Sequence, residues 1–81
     1  MNGRVHNIRV WVLTFVEDPD TRVAASAQKA YEICKENIEQ ESRPAYREKW
    51  LKELEEEYNE DPEWFGCTEI CSAQMIEVEG A

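Results

Sequence analysis

The residues able to do covalent or metal chemistry are few: one histidine, His6; three cysteines, Cys34, Cys67 and Cys71; and an abundance of carboxylates. A thiol nucleophile needs a base to take its proton and a third group to orient that base. His6 stands beside Asn7 in an N-terminal segment expected to fray, and Cys34 falls on an apolar helical stripe, so no Cys–His pair is expected. Cys67-Thr68-Glu69-Ile70-Cys71 sets two thiols four apart, on one face of either a helix or a strand. A structural zinc ion takes four ligands, commonly from close cysteine pairs. Here only Cys34 and His6 remain, both remote, and no metal site is expected. An odd cysteine count also argues against a secreted disulfide framework and for free thiols in a reducing cytoplasm. Carboxylate acid–base catalysis needs one acid in an apolar pocket, whereas the acids here crowd a run that reads as solvated. The glycines, at 3, 66 and 80, build neither a phosphate-binding loop nor an EF-hand. The chain reads as a non-enzyme without a cofactor.

What stands out instead is where the charge lies. The 81 residues carry a net charge of −9. All nine Lys and Arg lie at or before Lys52, while residues 53–81 hold ten acidic side chains and no basic one. Seven of those acids fall between Glu53 and Glu63. Clustered cations, which phosphate contacts require, are missing, so direct nucleic-acid binding is disfavoured. An acidic third of this kind either keeps a small protein soluble or faces a basic partner. The longest apolar run, Val10 to Val16, is broken by Thr14 and far shorter than a membrane helix of about 20 residues. No signal peptide is visible, and a cytoplasmic location is expected.

These groups must be positioned by one small domain covering residues 1–81. Residues 8–16 read as a strand rich in β-branched and aromatic side chains, with Ile8, Val10, Val12 and Val16 on one face and Trp11, Leu13 and Phe15 on the other. Glu17 to Thr21 reads as a turn. Arg22 to Ala25 then fits a second hairpin strand, with Ser26 capping the helix that follows, or a helix starting at once from Asp20 or Thr21. The hairpin is preferred because the first strand needs a neighbour. Residues 27–41 read as a helix with Ala27, Tyr31, Cys34 and Ile38 inward. Ser42-Arg43-Pro44 breaks it, and Ser42 is placed to cap a second helix running to about Asn59 with Tyr46, Trp50, Leu51, Leu54 and Tyr58 inward. Asp61-Pro62 ends that helix. Residues 73–79 alternate as a last strand beside the first, with Ile76 and Val78 inward. The expected fold is α+β: a small antiparallel sheet, made of a hairpin plus the C-terminal strand, with two helices packed on one face.

Two surfaces then remain for partners. Glu53, Glu56, Glu57 and Glu60 recur at helical spacing at a helix C-terminus, where mutual repulsion and the macrodipole both disfavour them. Charge kept where it harms the helix points to a use elsewhere. With Asp61, Glu63 and the adjacent Trp64 and Phe65 they form a candidate partner-binding surface: an apolar anchor beside a charged rim. The second is the sheet face left open by the helices, assigned to Trp11, Leu13 and Phe15 and expected to be covered by a second copy or another protein.

The strand Val10-Trp11-Val12-Leu13-Thr14-Phe15, the Ser26–Ile38 helix with Lys29-Ala30-Tyr31, and the closing Met75-Ile76-Glu77-Val78-Glu79 resemble, in layout and charge, the small acidic proteins of phages and mobile elements, including anti-CRISPR-type inhibitors. That resemblance implies an inhibitor in a bacterial host whose carboxylates occupy the basic nucleic-acid-binding groove of a defence complex. It carries over no site residues. The alternative from the residues is a structural or oligomeric interaction module, a homodimer among its forms, using its apolar sheet face.

Overall fold

A computed structural model describes residues 6–67 and 69–80, with the side chains of 6 and 80 left aside. Its elements run β1 (His6–Phe15), β2 (Asp18–Ala24), α1 (Ala27–Glu39), α2 (Pro44–Glu60), β3 (Trp64–Cys67) and β4 (Cys71–Gly80). The fold is α+β. The strands form one antiparallel sheet in the order β2-β1-β4-β3, and both helices pack on one of its faces. The first and last strands are therefore the central pair.

Local chemistry explains most boundaries. The Ser26 hydroxyl accepts the Lys29 N–H at 3.1 Å and caps α1, a contact worth about 1 kcal/mol. The hairpin reading of residues 22–25 holds, since Ala24 pairs with Trp11 and Val23 with Val12. Its turn is tighter than expected: Val16 and Glu17 alone make it, and β2 begins at Asp18. At the start of α2 the cap is Arg43, not Ser42, and no side chain bonds the helix end. Pro44 supplies the fixed φ of a first turn. Glu41 holds the connection instead, its carboxylate receiving Arg43 Nε at 3.0 Å and Nη2 at 2.9 Å.

The core lies between the helices and the centre of the sheet. Leu13 and Ala73, directly paired across β1 and β4, are fully buried against Ala30, Cys34 and Ile38 of α1 and Leu54 of α2. Burying a leucine this way stabilises by roughly 1.5–3 kcal/mol. Tyr58 of α2 packs on Tyr31 at 4.6 Å and edge-on to Phe65 at 4.9 Å, tying both helices to β3. Tyr46, expected inward, is exposed and stacks with Trp50 and under the Arg43 guanidinium.

The face assignment of the sheet is reversed from the expectation. Trp11, Leu13 and Phe15 face the helices, because these bulky groups and not the β-branched set fill the space beneath α1 and α2. The open face is Ile8, Val10 and Val12. Ile76 and Val78 share that open face through their pairing with Val10 and Ile8, while Met75 turns inward beside Trp11.

Beyond Trp11 on β1 and Met75 on β4 neither β2 nor β3 continues. The central pair projects alone as a two-stranded ribbon, His6–Val10 against Ile76–Gly80. The molecule is accordingly elongated, 57 × 27 × 16 Å.

Candidate functional site

The three cysteines converge in the core. Cys67 ends β3 and pairs across the sheet with Cys71, which begins β4; the turn between them is closed by the Ile70 N–H on the Cys67 carbonyl at 2.8 Å. Cys34 reaches them from α1. All three are buried and free. The Cys34 thiol donates to Cys71 sulfur, and that bond together with burial pushes its pKa up. Burial, then the charge of Glu53, pushes Cys67 up to about 11. Cys71 is shifted the other way, downward, chiefly because its sulfur accepts the bond from Cys34, so burial rather than a shared rise in pKa limits access to these sulfurs. Among the described residues no group of three or more His, Cys, Asp or Glu is arranged to hold a metal ion, and no helix is long and apolar enough to cross a membrane. The side chain of His6 lies outside the described residues.

The acidic run is divided by α2. Trp50 and Leu54 fix the buried face of the helix, so residues three or four apart point to different neighbours. Glu53 is half-buried and its carboxylate bonds the Cys67 thiol. Glu56 emerges on the flank towards α1, in a hollow shared with Tyr31, Lys35 and Lys52. Glu63 faces Arg9 at 3.9 Å, and Arg9 also approaches Glu77 at 3.6 Å. Glu57, Glu60 and Asp61 stay together, lining with Trp64 a hollow of about 260 Å3. Thus three of the six carboxylates singled out from the sequence form one patch.

The corner carrying that patch is firmly built. The Asp61 carboxylate accepts the Glu63 N–H at 3.0 Å, and the Asp61 carbonyl accepts the Trp64 N–H at 3.2 Å. Trp11 Nε1 donates to the Pro62 carbonyl at 2.9 Å, pinning the corner to the central strand. The neighbouring aromatics separate as strand alternation requires: Trp64 is 65% exposed and Phe65 only 1%. Phe65 is a core residue, which removes it from the candidate surface. A second hollow, of about 430 Å3, continues from Glu57 and Trp64 towards Phe15 and Val16. An exposed indole beside three carboxylates can seat the stem of a Lys or Arg against the ring while the acids take its charge.

No protein family model, no curated protein and no solved structure matches the chain.

The surface that sequence reasoning misplaced is the open sheet face. Ile8, Val23, Ile76 and Val78 stand 42–63% exposed there. One signal for it was available: Met75 interrupts the apolar alternation, and a strand whose odd and even positions both carry apolar groups does not declare which set faces the helices.

Proposed function

We propose that the chain is a non-catalytic protein-binding module whose corner of Glu57, Glu60, Asp61 and Trp64 takes a basic surface on a protein partner. The partner of best fit is a nucleic-acid-handling protein, with the carboxylates standing where phosphates would, as in an anti-defence inhibitor. The observation that carries the reading is the exposed Trp64 set among three carboxylates on a corner fixed by its own hydrogen bonds. An exposed tryptophan with a charged rim has the composition of a binding hot spot. Charge complementarity of this kind speeds association and makes it salt-sensitive. The burial of all three thiols supports the non-catalytic part.

The test is capture from a nuclease-treated bacterial lysate, comparing the wild-type chain with a Glu57→Lys, Glu60→Lys double variant. A nucleic-acid-handling protein retained at low salt, released at high salt and lost by the variant supports the proposal. Retention of the same protein by the variant at both salts refutes it. Trp64→Ala should weaken capture as well, without loss of fold, since the ring is solvent-facing.

A further inference from the structure

The open face of the sheet is free of charge along its central pair. On β1 it presents Ile8, Val10, Val12 and Thr14; on β4 their partners are Val78, Ile76, Gln74 and Ser72. Val23 extends it on β2, and Trp64 and Gly66 on β3. One third of the chain is charged, yet the charged members of the ribbon, Arg9, Glu77 and Glu79, all fall at the alternate positions and hence on the other face. We infer that two copies of the chain pack face to face through this surface, sheet on sheet, with the helices outermost.

The area suffices for that. Ten-residue strands at about 3.3 Å per residue and 4.8 Å spacing give, for a four-stranded body and a two-stranded ribbon, roughly 500 Å2 on each copy. Two copies then bury about 1,000 Å2 or more, the threshold of specific interfaces. A face of this size is at the upper end of what soluble monomers expose, and patches of that size are often interaction sites.

Charge selects the occupant. A partner recognised through its basic surface would meet no carboxylate here. A second copy brings its own net charge of −9, and repulsion would forbid pairing through any acidic face. Face-to-face packing avoids this. Paired sheets lie about 10 Å apart and helices pack about 10 Å beyond each sheet, so the two acidic α2 helices stand roughly 30 Å apart, several times the Debye length of about 8 Å. An isologous dimer of this form repeats the same apolar stripe on both sides. Trp64 shares this face through its pairing with Gln74 on the edge strand β3, so the dimer draws its ring towards the second copy, while Glu57, Glu60 and Asp61 stay outside the sheet-on-sheet contact.

Sedimentation equilibrium at about 100 μM protein tests the inference, at low and high salt. The expected species has twice the chain mass of 9.5 kDa and persists at high salt, opposite to the behaviour expected of the acidic corner. Ile76→Lys with Val78→Lys should weaken dimerisation at least tenfold; both residues are nearly half exposed, so the monomer fold survives, which circular dichroism checks. Glu57→Lys should leave the dimer intact. A wild-type monomer at this concentration, or a dimer indifferent to the two lysines, overturns the inference whatever the acidic corner does.

Discussion

Replacing Gly66 by alanine separates two opposite expectations by sign. Glycine inside a strand usually costs stability, so alanine would stabilise by roughly 0.5–1 kcal/mol if space allowed. Gly66 sits on β3 opposite Ser72, and there is no space. A Cβ built there collides with the Cys71 carbonyl oxygen and lies 2.7 Å from Ser72 Cα and 3.2 Å from the Cys71 carbonyl carbon. All three atoms are backbone of the adjacent strand, so no side-chain rotation relieves the contact. Forcing such an overlap costs about 1–3 kcal/mol, and β3 must pull away from β4 to accept it. At an unfolding entropy of about 2.1 cal/mol/K per residue, a loss of about 2 kcal/mol lowers Tm by roughly 10 °C for a domain of this size. Thermal melts followed by tryptophan fluorescence would measure it. A Tm for Gly66→Ala equal to or above wild type would refute the steric reasoning and show that the strands separate freely here.

Two further predictions rest on titration. Glu41 is held at a pKa of about 2, below its ordinary 4.5, chiefly by the Arg43 side chain and then by the Arg43 N–H; a depressed carboxylate contributes stability above its unfolded pKa and loses it as pH falls through the folded value. The α1–α2 connection should therefore loosen between about pH 4.5 and 2, and an NMR titration of the Glu41 carboxyl carbon with a midpoint above 4 would contradict this. The buried thiols, with Cys67 pushed up to about 11, should resist Ellman's reagent at pH 8 until denaturant is added, whereas labelling of the native chain within minutes would show that the core opens readily.

Layout was easier to read from the residues than facing. The Ser26 cap, the break at Pro44 and the pairing of the last strand with the first follow from local signals: a hydroxyl before an apolar stripe, a ring that fixes φ, and a strand in need of a neighbour. The side of the sheet taken by the helices does not. β1 is apolar on both faces, and the choice is made by volume, with Trp11, Leu13 and Phe15 filling what α1 and α2 leave open. The short strand β3 was hidden in Trp64-Phe65-Gly66-Cys67 because its glycine and adjacent aromatics look like a loop; its reason is tertiary, an extended segment pressed against β4. The acidic run was visible as composition, yet its division between the thiols, Lys35 and Trp64 depends on the rotation of α2 about its own axis. That rotation is set by Trp50 and Leu54 together with the sheet they meet.

The central position of β4 has a consequence for how the chain reaches this state. β1 and β4 pair residues up to 74 positions apart, His6 with Gly80, so the middle of the sheet closes a loop nearly as long as the protein. Loop entropy of that span costs about 4 kcal/mol beyond a constant and slows folding, as distant contacts do. During synthesis, β1 and β2 can form a hairpin and both helices can coil, but their apolar faces have no sheet centre to rest on until residues 71–80 have been made. A nascent chain stopped short of Cys71 would expose Trp11, Leu13 and Phe15 together with an unpaired strand edge, a target for chaperones and proteases. Folding is thus deferred until residues 71–80 have been made, and these last ten described residues act as the keystone of the sheet.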